Sequence, residues 1–166
     1  MTATAAEKTT TSRAPAHTEV VTHAFVRDLV LPGTGYGSEA RTMALITLDN
    51  GHDHTKPNTF GPEGIAELQG VVDTLRARAQ AGEIHAVGIT GKPFIFAVGA
   101  DLTGVPSVTH RDQALQIAKA GHAAYASIMD LPVPTFAFVN GAVMGGGLEI
   151  ALACDYRTIS AGVPAV

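Results

Sequence analysis

The chain has 166 residues, of which 46% are hydrophobic and 16% charged, and a formal net charge of -4. That is enough apolar material for one domain with a real core, and it excludes a disordered polyelectrolyte. The acidic balance argues against a nucleic-acid or basic membrane surface, and no apolar run reaches the length of a membrane span.

Residues 1–18 are rich in Thr and Ala, carry Lys8 and Arg13, and lack the apolar centre of a secretory signal. They are expected to be a disordered tail, and the expected compartment is the cytoplasm. Residues 19–166 are expected to form the folded part, without repeats or internal linkers. His23 to Leu31 alternates between polar and apolar residues as a strand does. Pro32 to Ser38 holds three glycines and reads as a turn. Thr42 to Leu48 is a second strand, so the two are expected to form a hairpin. Asp49 to Gly61 reads as an irregular polar loop.

A helix begins at Pro62, where a missing N–H is harmless. Ile65, Leu68, Val72 and Leu75 form its apolar face, and Gly82 ends it. Ile84 to Thr90 and Phe94 to Val98 are short buried strands. A second helix covers Arg111 to Met129, with Leu115, Ile117, Ala118, Tyr125 and Ile128 as candidate core positions. Pro132 and Pro134 stop it and lead into a strand, Thr135 to Val139. A tight glycine-rich turn, a helix and a last strand, Tyr156 to Ile159, follow. Strands alternate with helices throughout, which predicts an α/β layered fold. Cys154 is the single cysteine, has no internal partner, and reads as a small core residue.

Two segments carry chemistry. In the first, a strand runs into Gly99, Ala100, Asp101 and Leu102; in the second, Gly145, Gly146 and Gly147 open a helix, with Glu149 within its first turn. Small residues let a ligand approach the main chain, and the first amides of a helix have no internal acceptor. Two such N–H groups converging on one point would make an oxyanion hole. The other candidates read more plainly. Gly33 to Gly37 lacks dinucleotide-loop spacing, and Gly141 to Gly147 matches neither a dinucleotide fingerprint nor a P-loop. His52-Asp53-His54 puts two histidines in a polar loop with no third ligand in view and reads as solvated, and His110 and His122 are too far apart on their helix to form a ligand pair. No metal is expected. Asp101 is expected to cap the turn after it.

These two segments resemble the signatures of the crotonase superfamily, the enoyl-CoA hydratase/isomerase family. The first, F-x-A-G-A-D-[LI], is matched by Phe96-Ala97-Val98-Gly99-Ala100-Asp101-Leu102. The second is matched from Phe138 through Asn140, Gly141, Gly145, Gly146, Gly147 and Glu149 to Cys154 and Asp155. Asn58 looks like the family's early Asn-containing loop, and the resemblance covers about residue 20 to the end. The polar loop from Asp49 to Phe60, with Gly91 to Phe94, is most similar to the hydratase portion of multifunctional bacterial fatty-acid oxidation proteins. The implied fold is a crotonase-like ββα spiral, incomplete at the C-terminus.

The resemblance implies that the backbone N–H groups of Ala100 and Gly146 hold the thioester oxygen of an acyl-CoA as its enolate forms. It places Val98, Gly99, Ala100, Asp101, Leu102 and Gly146 at the substrate, with Val98 and Asp101 near the CoA adenine and Lys56 within reach of a CoA phosphate. Glu149 matches the first of two glutamates that add OH at C3 and a proton at C2 of a 2-enoyl-CoA in β-oxidation. The second follows, in the family, in a Pro-Glu motif a few residues past Val166. The chain is therefore expected to be a truncated hydratase piece. The alternatives are an isomerase, an acyl-CoA hydrolase, or an inactive part of a multifunctional 3-hydroxyacyl-CoA dehydrogenase. No cofactor is expected, since CoA belongs to the substrate, and intact members are expected to form trimers or larger assemblies.

Overall fold

Strands β1 (His23–Leu31) and β2 (Arg41–Asp49) pair antiparallel in the expected hairpin, with His23 opposite Asp49 and Leu31 opposite Arg41. The computed structural model describes residues 18–33 and 39–162. The expected tail up to residue 17, most of the turn between the hairpin strands and the last four residues lie outside it. Helix α1 (Pro62–Gln80) starts at the expected proline and ends at Ala81, after which Gly82 adopts φ 73. Gly82 N–H donates to Ala79 and Glu83 N–H to Arg78, which closes the last turn in the left-handed manner that glycine allows.

Strands β3 (Ala86–Gly91), β5 (Thr135–Val139) and β7 (Tyr156–Ile159) add in parallel, giving the order β1-β2-β3-β5-β7. Strand alternation sets the core. Ala44, Ile46 and Leu48 of β2, Val87 and Ile89 of β3, and Ala137 and Val139 of β5 share one buried cluster with Leu68, Val72 and Leu75 of α1. All four residues expected on the apolar face of α1 are buried. Each large aliphatic side chain among them contributes about 1.5–3 kcal/mol. On strands β5 and β7 the rings of Phe136, Phe138 and Tyr156 stack side by side, and every residue of β7 is exposed.

A second, two-stranded parallel sheet joins β4 (Phe94–Ala97) to β6 (Gly141–Val143). The sequence reading took β6 for part of a turn. Its pairing depends on residue 141 being glycine, because a β-carbon there would collide with the main chain of Phe94. Helix α2 (Arg111–Met129) has the expected bounds but not the expected core. Tyr125 and Ile128 are buried, whereas Leu115, Ile117 and Ala118 are exposed. Only the second half of α2, from Gly121, packs into the molecule; the first half has one-sided contact with α1 along a shallow groove. Helix α3 (Gly146–Ala153) is the expected glycine-led helix and leads into β7. Cys154, just past it, is buried as expected, and burial with the neighbouring Asp155 pushes its thiol up to about 12. No helix among the described residues is long and apolar enough to cross a membrane.

Candidate active site

The two glycine-bearing segments leave the paired strands β4 and β6 and meet. Gly99 has φ +94, a conformation that side chains resist, and a β-carbon on it would lie 2.9 Å from the amide nitrogen of Gly146. Gly147 is buried against the carbonyl of Ala97, where a β-carbon has no room. Glycine at both places is therefore a packing requirement as well as a conformational one.

Ala100 and Gly146 each keep an unused amide, by different means. Phe60 N–H donates to Gly99 at 2.8 Å, and Asp101 N–H donates back to Phe60 at 2.9 Å. Phe60 thus uses the residues on both sides of Ala100, and strand geometry turns the Ala100 N–H to the opposite side. Gly146 is the first residue of α3, so its N–H has no acceptor inside the helix. The amides just after it are taken: Gly147 N–H donates to Met144 at 2.9 Å and Glu149 N–H to Gly145 at 3.0 Å. Among the described residues, neither the Ala100 nor the Gly146 N–H donates a hydrogen bond.

Two asparagines hold the segments. Asn58 is fully buried; its side-chain amide donates to Leu48 at 2.8 Å and Phe96 at 3.1 Å, and its oxygen accepts from Asn50 N–H. Its main-chain carbonyl also accepts from Val98 N–H at 2.9 Å. Asn140 binds Gly91 through both its oxygen and its amide group, and Lys92 through the latter. Asp101 accepts from Thr103 N–H at 2.9 Å and caps the short 3-10 turn Leu102–Ser107, as expected.

Glu149 is exposed on the first turn of α3 and lines an open groove of about 310 Å³ with His122, Tyr125, Ala126, Met129, Leu152 and Ala153. Tyr125 is 9% exposed, and its hydroxyl lies 2.6 Å from where a β-carbon on Gly146 would sit. Burial, then the negative charge of Glu149, push that hydroxyl up to about 12, so it keeps its proton at neutral pH. Ala100 and Asp101 line a different and larger hollow of about 640 Å³, walled also by Phe60, Gly61, Val105 and Ile117. Gly99 and Gly146, which touch, are chain neighbours or packing neighbours of residues in each hollow: Ala100 follows Gly99, and the Tyr125 hydroxyl lies against Gly146. Val98, just before Gly99, is half-buried, and Leu102 is 73% exposed.

The rim of the larger hollow includes Glu19, whose carboxylate accepts from the N–H groups of Gly61, Glu63 and Gly64 at the start of α1. A negative charge at that helix end is favourable. Sequence reasoning gave Glu19 no role. It also missed Lys92, which is 3% exposed and donates to the side chain of Asn50 and the carbonyls of His52 and Lys56. Burial lowers the Lys92 pKa, against the pull of Asp49 and Asp53. Lysines read as surface residues in a sequence, so only the Gly91–Phe94 resemblance drew attention there. Lys56 itself is exposed. His52, Asp53 and His54 sit in the exposed loop, and no cluster of three metal-ligating side chains occurs among the described residues.

A family model described as enoyl-CoA hydratase/isomerase matches residues 38–162. Among curated proteins, the chain is 35% identical over 120 residues to the fatty acid oxidation complex subunit alpha of Shewanella frigidimarina, covering 71% of this chain and 16% of that protein. The subunit of the same name from Aliivibrio fischeri is 33% identical over 121 residues, covering 71% and 17%. The chain thus spans about a sixth of the length of these relatives. Among solved structures, Pseudomonas aeruginosa DspI aligns with a TM-score of 0.66 at 28% identity, over 93% of this chain and 54% of that one. An enoyl-CoA hydratase from Bacillus anthracis aligns with a TM-score of 0.60 at 25% identity, over 78% and 46%.

Proposed function

The chain belongs to the enoyl-CoA hydratase/isomerase family, and on that premise we propose that its two free amides bind the thioester oxygen of an acyl-CoA and stabilise the enolate that forms during hydration of a 2-enoyl-CoA. The observation that carries this reading is that Ala100 and Gly146 both lack hydrogen-bond acceptors while their segments touch at Gly99. As the α-carbon takes up or loses a proton, charge moves onto the carbonyl oxygen, and fixed N–H donors stabilise it without reorganising. One such donor is worth roughly 3 kcal/mol at the transition state.

In this reading the CoA portion occupies the larger hollow beside Val98, Ala100, Asp101 and Leu102, and the acyl end reaches the groove beside Glu149. Glu149 supplies one of the two proton-transfer groups that hydration needs, with OH arriving at C3 and a proton at C2. A coenzyme A ester is an intracellular metabolite, so the proposed compartment stays the cytoplasm, with a role in fatty-acid β-oxidation and assembly into trimers or larger oligomers. A double-bond shift is the second reading. Glu149 is the one carboxylate among the described residues lining its groove, and a single carboxylate suffices to carry a proton between C2 and C4.

The test replaces Gly146 by proline, which the first position of a helix tolerates, and follows turnover of crotonyl-CoA and of a 3-enoyl-CoA. Gly146→Ala is the control: it crowds Tyr125 in the same way but keeps the N–H. Gly146→Pro should lower turnover about 100- to 1,000-fold relative to that control. Affinity for free CoA should be equal in the two variants, because a donor to the reacting oxygen acts on turnover. Equal activity of the two variants would falsify the donor role, and preference for the 3-enoyl substrate would favour the isomerase reading.

A further inference from the structure

Tyr125 takes no part in the chemistry above, yet it lies beside it. Its ring is buried in the core cluster between α2 and α3, a position that phenylalanine would fill as well. The hydroxyl is what needs an explanation. A buried phenol is costly to desolvate unless its oxygen finds a partner. Among the described residues the Tyr125 hydroxyl makes no hydrogen bond, and no sealed side-chain polar atom lacks one, so the oxygen keeps access to solvent, on a residue that lines the groove. It rests against Gly146, the residue that carries one of the two free amides. The remaining walls are Ala126, Met129, Leu152 and Ala153, which offer a ligand no polar side chain, and the other polar groups of the groove are His122 and Glu149.

We infer that Tyr125 is a specificity-determining residue whose hydroxyl donates a hydrogen bond to an oxygen on the acyl chain just beyond the thioester, so that the groove favours a 3-hydroxyacyl thioester over a saturated one. The inference rests on the acyl-thioester reading of the site. A donor at this place discriminates by contact: the 3-hydroxyl oxygen replaces the water that the phenol would otherwise hold, whereas a methylene leaves the phenol without a partner. Because the phenol stays protonated beside the Glu149 carboxylate, it donates while Glu149 accepts, and the two fix an added hydroxyl from two directions.

The experiment is calorimetric titration of the full chain and its Tyr125→Phe variant with 3-hydroxybutyryl-CoA, butyryl-CoA and free CoA. The unaltered chain should bind 3-hydroxybutyryl-CoA about 2- to 10-fold tighter than butyryl-CoA, the range of one neutral hydrogen bond. Tyr125→Phe should bind the two alike and hold butyryl-CoA as the unaltered chain does. A preference that survives Tyr125→Phe but disappears in Glu149→Gln assigns the contact to the carboxylate and overturns the inference. An unaltered chain that binds butyryl-CoA more tightly than free CoA but shows no preference also overturns it, and this arm needs no variant to fold. If neither acyl-CoA binds more tightly than free CoA, the acyl-thioester reading falls and takes this inference with it.

Discussion

The segments around Ala100 and Gly146 keep an amide free by opposite strategies. Ala100 lies in extended chain, and its donor is spared because Phe60 engages the residues on either side of it. Gly146 lies at a helix start, and its donor is spared because no residue of the helix lies behind it to accept. The first arrangement depends on long-range partners, Phe60 and Asn58, some forty residues earlier in the chain. The second is spared locally, by the helix start itself, and that start is seated by the close approach of Gly147 to Ala97. A site built from one of each fails in two different ways when perturbed.

Gly147→Ala should break the local half. The new β-carbon meets a backbone carbonyl that cannot swing aside, and overpacking of this kind costs about 3 kcal/mol. Urea denaturation should show that loss or a chain that does not fold. Asn58→Ala should break the long-range half at a cost of about 2 kcal/mol, because it leaves Asn50 N–H and the Leu48 and Phe96 carbonyls buried with fewer partners. Hydrogen exchange should then speed up at Phe60, Val98 and Asp101 and stay unchanged at Glu149. Equal acceleration at Glu149 would mean that the two halves are not independent. Asp101→Ala should have the smallest effect, about 1 kcal/mol from the lost cap, with faster exchange confined to Thr103 and the turn it begins.

The same division governs what could be read from the sequence. Local devices were legible: Pro62 and Gly82 bound α1, Ile65, Leu68, Val72 and Leu75 form its buried face, and Gly145–Gly147 open α3. Those rules depend on a few neighbouring residues. Where a partner had to be known, the reading failed. Leu115, Ile117 and Ala118 have helical spacing, but spacing does not tell which half of α2 meets another element. Strand β6 exists because β4 lies close enough to pair with it. Asn58 stood out only by resemblance, and nothing in its surroundings announces that it spans β2 to β4. At the candidate site, the family resemblance pointed to Ala100, Gly146 and Glu149, and the segments of the first two meet at Gly99. Tyr125 was legible as a core ring, not as an open hydroxyl, because burial of the ring and exposure of its oxygen are decided by different neighbours.

Glu19 has a practical corollary for anyone who labels or fuses this polypeptide. Through that one carboxylate, the leading end of the described chain is stapled to the mouth of the larger hollow. A fluorophore or carrier domain spliced directly ahead of Thr18 would stand in the doorway, whereas a graft at the exposed tip after α1, near Gly82 and Glu83, would leave the entrance clear.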